Sequence, residues 1–441
     1  MTDLMEKLVS LCKRRGFIFP GSEIYNGLAG TWDYGPLGVL LKQNLKAAWW
    51  KRMVQERDDV VGLDAAILMN AQTWNASGHL KFMTDPLVEC KYCHHRFRQD
   101  TVGDQCPDCK KGSFSSPKSF NIMLKTALGP VDDSSSATFL RPETAQGIFV
   151  NFKNVLQSSR QKLPFGIAQI GKAFRNENTP GNFTFRTREF EQMELEYFVR
   201  PGTDKKWFEY WRKERYQWYL DVGFKKPNIR LRDYAKDELS HYSSATTDIE
   251  YAFPFAKDGW DEVEGVANRT DFDLTAHQKA SKQDLHYFDD ETEERLTPYV
   301  IEPSAGVDRI MLAALIDAYD EVEGGRTTTT EAKKDVEVVL RLHRSLAPIK
   351  IAVLPLSKKE PLKKVASEIA SDLRKNWMIH YDDVSSIGRR YRRQDEIGTP
   401  YCVTVDFESM DDHKVTIRDR DTMKQERIAI KELIDYFNDK L

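Results

Sequence analysis

The segment Phe165–Phe198, FGIAQIGKAFRNENTPGNFTFRTREFEQMELEYF, restricts the fold more than any other stretch of this chain. Small and apolar residues crowd together from Phe165 to Phe174, Asn178-Thr179-Pro180-Gly181-Asn182 is a cluster of turn formers, and a second extended run goes from Phe183 to Phe198. The pattern predicts two strands joined by a polar turn, with Glu189, Glu191, Glu194 and Glu196 on the return and Glu177 ahead of the turn. Strand alternation sets Arg175, Ala173 and Gly171 on one face and Phe190, Gln192 and Glu194 on another. A surface hairpin would alternate polar and apolar residues. This one mixes arginine and glutamate with glycine and alanine, which suits a sheet floor under a charged ligand, and an arginine at a strand end fits a phosphate oxygen. A charged hairpin that is simply solvated is the plainer alternative, and the rest of the chain must separate the two.

The length of 441 residues predicts two or three domains, and 40% hydrophobic content is ample for their cores. With a net charge of −3 the chain has no global positive field, so any RNA contact must use local patches. The first seventeen residues read as an amphipathic helix without the apolar centre of a signal peptide, and no apolar run approaches a membrane span. Four of six cysteines fall in Cys90-x2-Cys93 and Cys106-x2-Cys109. That spacing predicts a tetrahedral zinc ribbon over Val88–Gly112, closed to catalysis because all four positions are filled by protein. Four reduced thiols without metal, or His94 or His95 replacing a cysteine, are the alternatives. The usage points to a reducing, cytoplasmic setting.

Several segments have readable periodicity. Val39–Arg57 predicts a helix burying Leu41, Leu45, Trp49 and Met53, with Lys42, Lys46 and Lys51 outside. Asp132–Ser136 reads as a flexible run, and Arg141-Pro142-Glu143-Thr144 as a helix start. Pro201–Val222 reads as an aromatic-rich core helix. Gly259–Thr270 reads as an acidic strand that Asp271–Leu274 continues, and acids so placed suit either solubility or a divalent cation. Tyr299–Arg309 reads as strand, turn and helix, and a helix start after glycine is an anion site. Gly324–Glu331 reads as a loop before a last core strand, Val336–Leu342. Beyond Pro348, alternating strands and helices predict a small α/β domain. Its Arg389, Arg390, Arg392 and Arg393 are either a solvated face or an RNA contact.

FRNE followed by a loop and REFEQMELE resembles motif 2 of the class II aminoacyl-tRNA synthetases, closest to their homodimeric glycyl family. Asp33-Tyr34-Gly35-Pro36 with the following helix resembles motif 1, the class's dimer interface, and EPSAGVDR resembles motif 3. The last ninety residues resemble the anticodon-binding domain of the glycyl, histidyl, prolyl and threonyl enzymes. The resemblance spans nearly the whole chain, and no GxGxxG or Walker loop competes with it.

The resemblance implies an α+β class II fold, an antiparallel sheet flanked by helices. Residues 1–346 would form the catalytic domain, with the zinc-ribbon insertion at 88–112, and residues 347–441 a C-terminal α/β anticodon-binding domain. It also implies a homodimer that joins glycine to tRNA(Gly) with ATP and Mg2+. Arg175 and Arg309 would be catalytic. Arg175, Asn176, Glu177, Phe185, Arg186, Phe190, Glu262, Val263, Gly306 and Arg309 would bind ATP. Arg98, Glu143, Phe190, Gln192, Glu194, Glu302 and Ser304 would bind glycine. The rivals are another class II synthetase, or a synthetase-like binding subunit that has lost its catalytic residues. Retention of Arg175, Glu177, Glu194, Glu302 and Arg309 argues against the second.

Overall fold

The computed structural model describes residues 3–99, 102–130, 136–326 and 335–441. Its elements in chain order begin with helix α1 (Asp3–Arg15), helix α2 (Pro36–Trp50) and strand β1 (Val60–Gly62). Helix α3 (Ala145–Ser159), strands β2 (Phe165–Phe174) and β3 (Glu189–Val199) and helix α4 (Asp204–Asp221) follow. Next come β4 (Ile229–Asp233), β5 (Ala245–Tyr251), β6 (Asp261–Thr270), helix α5 (Phe272–Ser281), β7 (Tyr299–Gly306) and helix α6 (Val307–Ala318). The seven strands form one sheet in the order β4-β5-β6-β7-β3-β2-β1. All its pairings are antiparallel except the edge pairing of β1 with β2.

Alternation along the strands gives the sheet two different faces. Met193, Leu195, Tyr197 and Val199 of β3 point to one face and merge with Leu41 and Leu45 of α2, Trp211 of α4 and Ile310 of α6 in the main core. This face also holds a fully buried ion pair, with Arg215 Nε donating to Glu264 Oε1 at 2.6 Å. On the other face Phe198 packs with Phe165, and Phe149 and Phe152 of α3 cover one end. The remainder of that face is open and polar.

The register corrects the expected facing of the hairpin. Ala173 lies opposite Phe190, Gly171 opposite Gln192 and Gln169 opposite Glu194, so all of these point the same way, because directly paired residues share a face. The return strand starts at Glu189; Phe183–Arg188 belongs to the connecting loop. Lys42 is not outside: it is buried, and Asp308 and Glu191 neutralise it. Asp271–Leu274 does not continue β6 but enters α5, and Val336–Leu340 pairs only with Tyr319–Glu323, outside the main sheet. Most of Asp132–Ser136 and of Gly324–Glu331 lies outside the described residues.

The C-terminal part contains β8 (Ile351–Pro355), α7 (Glu360–Leu373), β9 (Ile379–Tyr381), α8 (Ile387–Ile397), β10 (Tyr401–Val405), β11 (Lys414–Asp419), β12 (Gln425–Ala429) and α9 (Leu433–Asn438). Its sheet order is β9-β8-β10-β11-β12. Neither reading of the arginines on α8 holds for Arg390, which is buried and donates to the carbonyls of Pro355, Leu356 and Asp382. Arg393 is tied to Asp382, while Arg389 is exposed. This part is strapped to the rest. Arg420 donates to Gly398 O and Leu342 O, each at 2.8 Å, Arg15 Nε donates to Glu396 at 2.7 Å, and Ile349 and Ile397 join the main core.

Candidate active site

The open face of the main sheet holds a cleft of about 280 Å³ between the loop after β2, strands β3, β5, β6 and β7, and the start of α6. Glu143, Arg175, Glu177, Phe185, Arg186, Phe190, Gln192, Glu194, Glu262, Val263, Glu302, Ser304, Gly306 and Arg309 all line it, although they come from segments far apart in sequence. Two expected residues do not line it. Asn176 is fixed by its backbone N–H to Ile122 O at 2.7 Å. Arg98 lies on the small sheet of Thr84–Glu89, Arg96–Arg98 and Lys118–Asn121, with Nη1 3.7 Å from Asp85.

Two arginines mark the polar rim. Arg175 follows β2, where its backbone N–H still pairs with Arg188 O; its Nε donates to Pro142 O at 3.1 Å, and its guanidinium lies 5.2 Å from the centre of the Phe190 ring. Arg309, in the first turn of α6, donates to Phe185 O, Glu262 O and Glu262 Oε2 at 3.0–3.2 Å and sits 4.3 Å from the centre of the Phe185 ring. A planar guanidinium stacked on a ring keeps its in-plane donors available to an anion.

The cleft floor carries three carboxylates with different supports. Glu194 accepts from Thr144 N and Gln192 Nε2 at 2.8 and 3.0 Å, from Ser304 Oγ at 2.6 Å, and from the Thr144 hydroxyl. Glu302 accepts from Arg269 Nη1 at 2.8 Å, and Arg269 also forks onto Asp273. Glu143 lies 3.2 Å from His79 Nε2 and accepts from Gln146 at 3.1 Å. Burial pushes Glu302 up to about 8 despite Arg269, with the charges of Glu194 and Glu143 adding to it. Burial, then the charge of Glu143, also raises Glu194. Burial acts on Glu143 as well, but the His79 ring and Arg269 outweigh it and hold that carboxyl well below its usual range. Surplus negative charge taken out of water favours a small cation.

Further along, Asp248 on β5 and Glu262 on β6 both line the cleft. Burial and then the Glu262 charge push Asp248 up to about 8, partly opposed by the Tyr234 hydroxyl at 2.9 Å. Two such facing carboxylates are hard oxygen ligands whose repulsion a divalent cation relieves.

Behind the α6 end of the cleft, Lys42 Nζ lies 2.8 Å from Asp308 Oδ1 and 3.0 Å from Glu191 Oε2. Asp308 also accepts from the Tyr34 hydroxyl and, at 2.7 Å, from Glu191 N. Sequence reasoning missed Asp248, Arg269, Thr144, His79 and Lys42. Asp248 falls in the acid-rich stretch Asp233–Glu250, where nothing in a single sequence distinguishes it from the other acids.

The four cysteines Cys90, Cys93, Cys106 and Cys109 place their sulfurs within 4.8 Å of one another, with Cys90–Cys109 and Cys93–Cys106 both at 3.6 Å. A tetrahedral ion with arms of about 2.3 Å needs sulfur–sulfur edges of about 3.8 Å, so the set fits a thiolate-bound metal. Backbone N–H groups, that of Cys93 first, bring the Cys90 thiol down to about 6.

Residues 125–319 match the tRNA synthetase class II core domain (G, H, P, S and T), and residues 350–440 match the anticodon binding domain. The glycine--tRNA ligase of Thermobifida fusca is 55% identical over 458 residues, covering 100% of this chain and 98% of the relative. That of Geobacillus kaustophilus is 55% identical over 472 residues and covers 100% of both. The crystal structure of prolyl-tRNA synthetase from Cryptosporidium parvum complexed with L-proline and AMP shares the fold at a TM-score of 0.65. It is 14% identical, with 98% of this chain and 74% of that one covered. At over half identity along the full length, this chain belongs to the glycine--tRNA ligase family of class II aminoacyl-tRNA synthetases.

Proposed function

We propose that the protein is a glycine–tRNA ligase, which activates glycine with ATP and passes it to the 3' end of tRNA(Gly). The observation that carries this reading is one cleft with three carboxylates at its floor, Glu194 and Glu302 buried and Glu143 half-buried, and two arginines at its rim. Glu143, Glu194 and Glu302 surround the glycine ammonium, with Ser304 and Gln192 closing the floor. A site for glycine has no side chain to grasp, so it must hold the two charged ends and leave no room for a Cβ.

In the first step a glycine carboxylate oxygen attacks the α-phosphorus. A new P–O bond forms, the bond to the bridging oxygen breaks, and pyrophosphate leaves with that electron pair. No general base is needed, because the carboxylate is already ionised. Alignment and charge neutralisation do the work. Arg175 bridges the α-phosphate and the carboxylate, Arg309 takes the far phosphates, Phe190 stacks on adenine, and Glu177 holds its amino group. Phe185, Arg186, Val263 and Gly306 complete the nucleotide wall. Mg2+ would be held by Glu262 with Asp248 and would neutralise phosphate charge. Asn176 and Arg98 belong to the expected substrate set but do not line the cleft, and no step is assigned to them. In the second step the terminal ribose hydroxyl attacks the carbonyl carbon, the bond from that carbon to the phosphate oxygen breaks, and AMP leaves with the electron pair, its phosphate taking up the hydroxyl proton.

The cysteine ribbon, residues 88–112, holds structural Zn2+. Residues 1–346 are the catalytic domain and 347–441 the anticodon reader. The protein works as a cytoplasmic homodimer, a reading supported by the exposed Ile24, Tyr25, Leu28 and Val39 around the start of α2. No helix among the described residues is long and apolar enough to cross a membrane. Amino-acid-dependent ATP–pyrophosphate exchange across all twenty amino acids tests the function. Exchange with glycine alone is expected, and exchange with another amino acid but not glycine refutes it.

A further inference from the structure

A fourth carboxyl lies under the cleft and the mechanism above does not use it. Glu196 is on β3, two residues after Glu194 and therefore on the same face. It is fully buried, and neither carboxyl oxygen has a hydrogen-bond partner among the described residues. The charged groups that face it are Glu194 on its own strand, Glu302 on β7, Arg269 on β6 and Asp273 on α5. Arg269 is the one cation in that set; its bonds go to Asp273 and Glu302, two and one of its five N–H donors, and none reaches Glu196. A bare carboxylate in that position would be a buried, unpaired charge beside three others of the same sign. As an acid it carries an O–H donor in place of the charge, and the antiparallel register, which pairs Glu194 with Ser304 and Tyr197 with Ile301, sets Glu302 directly across from it.

We propose that Glu196 is a positioning residue for the substrate ammonium: as a neutral acid it donates to Glu302 from behind and, together with Arg269, fixes the Glu302 carboxylate toward the cleft. The inference rests on the glycine reading of the floor. Under it, Glu302 has two donors behind it and its remaining lone pairs in front, so an ammonium meets an acceptor of set direction. Burial, followed by the charge of Glu302, raises Glu196 well above the carboxylate range, in agreement with this geometry.

The test uses the full chain in pyrophosphate exchange, with wild type, Glu196→Ala and Glu196→Gln. The alanine variant should raise KM for glycine by about tenfold while KM for ATP stays within about twofold, since only the ammonium contact is disturbed. The glutamine variant keeps a neutral donor at the same place and should stay within about threefold of wild type for both. Infrared difference spectra, wild type minus Glu196→Gln, at neutral pH should show one protonated-carboxyl band of wild-type sign, because the bands of Glu302 and Asp248 are common to both proteins and cancel. A glutamine variant as impaired as the alanine one, an alanine variant with an unchanged KM for glycine, both KM values rising together, or no such band would each overturn the proposal. If the alanine variant does not fold, the glutamine variant and the spectrum decide. Wild type active on glycine with unsplit variants removes Glu196 alone, whereas wild type inactive on glycine removes the functional reading and this proposal with it.

Discussion

Replacing Lys42 by Met keeps the stem that packs in α2 and removes the cation from behind the cleft. The side chains of Lys42, Asp308 and Glu191 are only 7%, 5% and 13% exposed, so solvent screens their attraction weakly. Losing one partner of a buried pair costs about 3–5 kcal/mol. Here the remaining groups keep some support, Asp308 from Tyr34 and Glu191 N, and Glu191 from Lys46 at 2.8 Å. The low end, about 3 kcal/mol, is therefore expected. At about 2.1 cal/mol/K of unfolding entropy per residue, 441 residues give roughly 0.9 kcal/mol/K and a fall in Tm of about 3 °C. The pH dependence has a definite sign. Burial raises Glu191, but Lys42 and Lys46 outweigh it and depress it below 4.5. A depressed carboxylate contributes stability above its unfolded value, and that contribution is lost as pH falls through the folded one. Asp308 and Glu191 left without Lys42 repel each other only while both are charged. The deficit should thus be full at pH 7 and smaller at pH 4. Scanning calorimetry of both proteins at the two pH values measures it. A fall of under about 1 °C at pH 7, or an equal fall at pH 4, would refute the assignment of the network as a net stabilising one.

Arg175→Ala should lower glycine-dependent exchange by about 3 kcal/mol in transition-state stabilisation, a loss of roughly a hundredfold or more, and activity within a few-fold of wild type would remove Arg175 from the chemistry. Protein prepared without chelators should carry about one zinc per chain, and Cys106→Ser should lose it; metal analysis that finds none on active protein counts against the ribbon. In Gly171→Ala the new Cβ would fall 2.2 Å from Arg141 Nη2. Arg141 is itself buried and bonded to Lys172 O and Ala65 O, so it cannot yield and a loss of about 2–3 kcal/mol is expected from thermal unfolding. A chain ended after Leu346 removes Ile349 and Ile397 from the main core and the Arg420 bond to Leu342 O, so it should lose pyrophosphate exchange along with tRNA charging. A folded, exchange-active fragment by circular dichroism and assay would contradict this.

The sequence carried the site in its strand grammar and its motifs. The shared face of Phe190, Gln192 and Glu194 could be read from alternation along β3, and an anion site at the start of α6 from the strand and glycine before it, while the roles of Glu194, Gln192 and Arg309 came from the resemblance. What stayed hidden depends on pairing. Ala173 and Phe190 were assigned opposite faces because the register of two strands is set by the loop between them, and that loop takes up Phe183–Arg188. Lys42 was assigned to water because helical periodicity counts apolar residues and cannot see an acid that arrives from residue 308. Arg390 failed for the same reason, since its partners are backbone carbonyls supplied by the ends of other segments. The difference between Glu143, Glu194, Glu302 and Glu196 is also a matter of neighbours, and four glutamates look alike in one dimension.

The straps at the C-terminal part have a mechanical consequence. Arg420 grips carbonyls at residues 342 and 398 at once, and Arg15 reaches across to Glu396. A swing between the two parts would strand these buried groups, so the span from one to the other acts as a fixed calliper. Under the proposed function, an RNA held by both parts would have to adapt its own bend to that opening.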